Sequence, residues 1–137
     1  MIHLLTLLVV SVPAADKPTD ATRLRGRWVV VAATFDGKKT PKEALKGREI
    51  DFGDGTFTAL VGGKKKNTLT FKLDPSKKPK RIDLRREGVA DPALGIYALD
   101  GGELKLCYGE PGDPRPSGFT SKAGSRHFLL VLRRANP

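Results

Sequence analysis

Along this chain apolar residues recur at every second position in short runs, and Gly, Pro and Asp break the runs at roughly ten-residue intervals, a rhythm that predicts strands rather than helices. Residues 28–35 are apolar at nearly every position. Residues 48–52 alternate around Ile50 and Phe52, and residues 56–61 follow the turn signal Gly53-Asp54-Gly55. In residues 68–73, Leu69, Phe71 and Leu73 fall on one face and Thr68, Thr70 and Lys72 on the other, the mark of a half-buried strand. Residues 81–85 repeat the pattern with Ile82 and Leu84 inward. Residues 95–99 and 103–108 predict a hairpin across Asp100-Gly101-Gly102, and in residues 127–133 Phe128, Leu130 and Leu132 share one face.

Two short helical pieces interrupt the strands. Thr40-Pro41-Lys42-Glu43 has the form of a capping box, with Pro41 at the first helical position and Gly47 as a stop. Residues 20–24 predict a further turn. Neither piece is long enough to serve as the crossover of a parallel sheet, so the strands are expected to be antiparallel and joined mainly by hairpins. Eight short strands suit a sandwich or a small closed up-and-down barrel, and closure removes the exposed sheet edges. Alternation by itself does not choose between them.

The chain has 137 residues, enough for one domain, and its 39% hydrophobic and 29% charged content is that of a folded chain. Residues 2–12 are almost wholly apolar and end in Val12-Pro13-Ala14-Ala15, so residues 1–15 are expected to be a signal peptide and residues 16–137 the exported domain. The apolar run is too short to span a bilayer. Expected residence is therefore extracytoplasmic, periplasmic or secreted. Cys107 is the single cysteine, which excludes an internal disulfide, and its strand-like setting favours a buried side chain over a reactive thiol.

Charge adds a second theme. The formal net charge is +10, and between Gly62 and Arg86 ten cations are opposed only by Asp74 and Asp83. Lys64, Lys65, Lys66, Lys77, Lys78, Lys80 and Arg81 are the candidate basic patch, able to hold an acidic envelope polymer or protein, or else simply to keep a solvated face soluble. Phe71 is the one aromatic in the stretch and reads as buried, so base stacking is poorly served and nucleic acid is an unfavoured partner. No catalytic site is expected. His127 is the only histidine past the leader, no nucleophile-elbow pattern surrounds Ser117, Ser121 or Ser125, and no metal-ligand or cofactor motif is present in the sequence.

The ends of the domain narrow the fold. Leu24-x-Gly26-x-Trp28 with a terminal Arg resembles the lipocalin superfamily, a resemblance that implies a barrel closed at one end by Trp28 with Arg134 packed across it. Longer runs resemble a lipocalin-like domain family of planctomycete bacteria, which has no activity to transfer. They are Leu24-Arg25-Gly26-Arg27-Trp28, Asp36-Gly37-Lys38, residues 74–84, residues 95–101 and residues 104–108, continuing through Pro111-Gly112 and Arg115-Pro116 to Phe119. In such a barrel Phe52, Phe57, Phe71, Ile82, Leu104 and Tyr108 are the candidate lining of a lumen for a small apolar or amphipathic ligand. The same six side chains can equally fill the interior. Residues 109–118, with Arg115, read as a rigid Pro-rich loop that closes the barrel or presents contacts.

Overall fold

The structure, a computed structural model, describes residues 18–135, so the leader expected at residues 1–15 lies outside the described residues. The elements run α1 (Asp20–Leu24), β1 (Gly26–Phe35), β2 (Lys38–Lys39), α2 (Lys42–Leu45), β3 (Arg48–Phe52), β4 (Thr56–Val61), β5 (Lys64–Asp74), β6 (Lys80–Arg85), β7 (Ala93–Asp100), β8 (Glu103–Tyr108) and β9 (Phe128–Arg134). All pairings are antiparallel. From β3 to β9 each strand pairs with the next in sequence, and β1 pairs with both β3 and β9. The eight long strands thus close into an up-and-down barrel, the fold that the alternation and the chain ends predict. No helix among the described residues is long and apolar enough to cross a membrane.

Local chemistry accounts for most element boundaries. Thr19 caps α1 by accepting a hydrogen bond from the Thr22 amide at 3.2 Å, with Asp20 in the first turn and Arg23 in the last, as the helix dipole favours. Gly62 and Gly63 form the two-residue link between β4 and β5, both at positive φ (58° and 79°), the geometry that lets a tight hairpin follow the strand twist. The capping box at Thr40 does not form. Pro41 is the N-cap of α2, no side chain caps it, and the Thr40 amide instead donates to the Ala33 carbonyl at 2.8 Å because β2 has doubled back along β1. Strand β5 also begins at Lys64 rather than at residue 68, since the hairpin carries the ladder up to the turn.

One end of the barrel is sealed. Trp28 is fully buried, its indole N–H donates to the Leu24 carbonyl at 2.8 Å, and the Arg134 guanidinium lies 4.3 Å from the ring centroid. Arg134 stands directly opposite Trp28 in the β1–β9 register and donates to the carbonyls of Arg23 and Arg25, tying α1 to the last strand. Gly26 has φ +105°, and a side chain there would come within 3.2 Å of the Arg134 guanidinium, so this position needs glycine on both counts. Around the Trp28 floor, Phe52, Phe71, Ile82, Tyr97, Leu104 and Leu132 fill the lumen from wall to wall. Phe52 meets Phe57 and Phe71 edge to face at 5.3 and 5.5 Å.

A polar latch completes the sealed end. The Asp20 carboxylate, 9% exposed, accepts from the Tyr97 hydroxyl at 2.6 Å and from Lys80 Nζ at 2.9 Å. Burial works against ionisation of Asp20, but the bonds from Tyr97 and Lys80 and the charges of Lys80 and Arg23 outweigh it and hold the carboxyl below its ordinary 3.8. Because the folded value is depressed, its contribution to stability is complete above about pH 5 and is lost as pH falls through 3.8 toward the folded value. Asp20→Asn should therefore flatten the acid limb of a melting-temperature profile between pH 6 and 3. An unchanged acid limb would show that the latch carries no linkage.

Candidate functional site

The opposite end is open, and there the packing stops short. Above Phe57 the barrel holds two adjoining lobes of about 360 and 400 Å³, both bordered by Phe57, Ala59, Asn67, Tyr108 and Phe128. Each lies within the roughly 300–1,000 Å³ of small-molecule pockets. Of the six candidate liners, Phe57 and Tyr108 border this cup. Phe52, Phe71, Ile82 and Leu104 belong to the packed core beneath it, where facing strands of a narrow barrel bring bulky side chains into contact. The sequence leaves an open and a filled lumen as alternatives; the structure contains both, one above the other.

Two β-bulges shape the cup. Pairing of β1 with β9 shifts between Val30 and Ala32, so the inward row runs Trp28, Val30, Ala33, Phe35 instead of continuing through Ala32 and Thr34. That shift brings Phe35 into line with Phe128 and Tyr108, its successive neighbours across β9 and β8. The three rings stack, at 4.2 Å between Phe35 and Phe128 and 5.0 Å between Phe128 and Tyr108. Phe35 remains 38% exposed, at the lip. Burial, together with the nearby Glu110 and Cys107, pushes the Tyr108 phenol up to about 12, so it stays a neutral hydroxyl at physiological pH.

The second bulge lies between β4 and β5, where Ala59 pairs with Asn67 but Leu60 pairs with Lys65. Lys66 is the extra residue, and it borders the larger lobe. Arg48 borders it as well, on the face of β3 shared with Ile50 and Phe52. These positions divide the candidate basic patch. Lys64, Lys65 and Lys66 lie at the open end, whereas Lys77, Lys78, Lys80 and Arg81 follow or pair with the far end of β5, roughly 30 Å away along an eleven-residue strand. Lys80 is engaged by Asp20. The residues of the candidate basic patch thus lie in two separate groups, because positions along an extended strand diverge at about 3.3 Å per residue.

Residues 109–127 leave β8 at the rim and pass outside the barrel as a strap. Arg115 Nη1 donates to the carbonyls of Gly95 at 2.7 Å and Ile82 at 3.3 Å and lies 2.8 Å from Asp83 Oδ1. That last contact is an ion pair off the hydrogen-bonding direction, and the buried Oδ1 receives no aligned donor. Pro116, within the strap, is buried. Cys107 is fully buried against it, with Sγ 3.5 Å from the Thr120 carbonyl, and burial pushes its thiol pKa up despite that bond. Arg115 thus pins the loop to the wall. The strap begins beside the cup, where Gly109, Glu110 and Pro111 border the smaller lobe.

Fold and site together define a small closed antiparallel barrel with a packed floor and an aromatic-lipped cup. Comparison with protein-family models, curated proteins and solved structures finds no match to this chain.

Proposed function

We propose that this protein is an exported, noncatalytic binding domain of lipocalin-like build that holds a small apolar or amphipathic molecule in the open end of the barrel. The observation that carries the proposal is the abrupt change across Phe57, from a packed core on one side to an apolar cup with a few polar groups on the other. The apolar run of residues 2–12 supports export. Shape sets the ligand class. A molecule that enters must stop at Phe57, so the occupant is short or compact.

Ala59 borders both lobes and is partly buried, so Ala59→Trp should fill the cup from its wall. The uncharged probe N-phenyl-1-naphthylamine should gain fluorescence with the wild-type domain, with an affinity that salt barely changes. In Ala59→Trp that affinity should fall at least about tenfold, a loss of roughly 1.4 kcal/mol. Equal binding by the two proteins would place the probe elsewhere and remove the support for a luminal site. Stabilisation by a soluble polyanion that salt abolishes would favour the alternative, docking to an acidic envelope component through a basic face.

A further inference from the structure

We infer that the ligand of the cup is an anionic amphiphile, its charged head held by Arg48 and Lys66 and its apolar body laid on Phe57, Phe128 and Leu130. This rests on the luminal reading and adds the sign and position of the head group. The cup is electrically lopsided. The smaller lobe is bordered by Arg86, Asp91 and Glu110, so acid outnumbers base there. The larger lobe is bordered by Arg48 and Lys66, and its one carboxylate, Glu49, alternates to the opposite face of β3 from Arg48.

Neither cation is satisfied by the protein. Among the described residues the ion pairs involve Arg23, Arg25, Lys80, Lys105, Arg115 and Arg126, and neither Arg48 nor Lys66 takes part. Lys64 and Lys65 precede Lys66 in the same hairpin and add to the local field. The bulge gives the arrangement its direction. In a regular β4–β5 ladder Lys66 would pair with Leu60 and alternate to the opposite face from Asn67; the shift leaves it unpaired and beside the lobe, the kind of re-aiming for which bulges occur next to binding sites. Arg48 contributes a planar fork of donors suited to a carboxylate, sulfonate or phosphate, and Lys66 a mobile point charge. With apolar wall below and cations at the lip, an anion need not be buried to be held. The chemistry recognised is therefore an acidic head on a short acyl chain or a compact ring system.

The test uses two probes with one skeleton, neutral N-phenyl-1-naphthylamine and its sulfonated relative 1-anilinonaphthalene-8-sulfonate, titrated into the domain at low salt. The wild type should bind the sulfonate at least tenfold more tightly than the neutral probe. In the Arg48→Gln/Lys66→Gln double variant that preference should shrink to less than threefold through loss of sulfonate affinity, with a wild-type melting temperature. Lys77→Gln/Lys78→Gln, at the other end of the barrel, should retain the full preference. Equal affinity of the wild type for both probes, or a preference that survives the Arg48/Lys66 change, would overturn the head-group assignment while leaving the luminal site standing. Failure of both probes to bind the wild type would remove the luminal site and this inference with it. Single Lys66→Gln, a change at an exposed position, provides the same reading should the double variant fold poorly.

Discussion

Replacing Trp28 with Ala should cost roughly 3–5 kcal/mol of stability, the largest loss expected of any single change in this domain. Three terms act together. The fully buried indole is the largest side chain of the sealed end, and its removal leaves a void that the surrounding strands, tied into a closed barrel, cannot collapse to fill. The Leu24 carbonyl loses its 2.8 Å donor. Arg134 keeps its bonds to Arg23 and Arg25 but loses the ring it lies over, a contact worth about 0.5–2 kcal/mol. Trp28 is the only tryptophan, so unfolding is best followed by far-ultraviolet circular dichroism in urea rather than by intrinsic fluorescence. The melting temperature should fall on the order of 15 °C. Trp28→Phe, which keeps a ring but loses the N–H, should fall between the two proteins. A loss below about 1 kcal/mol in the Ala variant would mean that the sealed end does not depend on this residue.

The second large effect should come from adding a single carbon at Gly95. This residue is buried in β7, paired with Ile82 on one side and with Tyr108 on the other. A methyl group there would lie 2.8 Å from Tyr108 Cβ, 2.9 Å from the Cys107 carbonyl oxygen and 3.2 Å from Ile82 Cγ2. Two of these neighbours are held by the sheet, and the Gly95 carbonyl is itself fixed by Arg115. Relief must therefore come from Tyr108 or from separation of β7 and β8. Gly95→Ala is expected to cost about 1–3 kcal/mol as overpacking. Because Tyr108 borders both lobes, its affinity for the neutral probe should fall as well. Denaturation and probe titration on the same preparation test both effects. Wild-type values in both would show that the β7–β8 contact yields without moving Tyr108.

The two variants probe opposite ends of one barrel and should separate cleanly. Trp28→Ala acts on the packed core and removes a side chain that borders neither lobe, so its folded fraction should still bind probe. Gly95→Ala acts on the wall that positions the site. If Trp28→Ala abolished binding by the folded fraction, floor and cup would be one cooperative unit rather than two layers.

Much of this architecture is legible in the residues. The apolar runs name the eight strands and the glycine-rich turns mark hairpins, because both depend on local geometry; the seal of Gly26, Trp28 and Arg134 is what the lipocalin resemblance implies. The site was less visible. Phe57 and Tyr108 are legible as liners, but Phe35, Ala59, Asn67, Phe128 and Arg48 are not, and the other four candidate liners lie in the floor. An inward position can be read from alternation, but its height along the barrel cannot, since height depends on the register of every strand between it and the closure of β1 on β9.

The strands, their antiparallel pairing and the excess of positive charge follow from short-range pattern and composition, whereas the seal of Trp28 by Arg134 is legible only through the lipocalin resemblance of the two chain ends. Which half of the lumen is filled depends on long-range register, and so does which way Phe35 and Lys66 point. The physical reason lies in the two bulges. One extra residue reverses the facing of everything beyond it, and nothing in a local run of amino acids reports that its partner strand is a residue shorter.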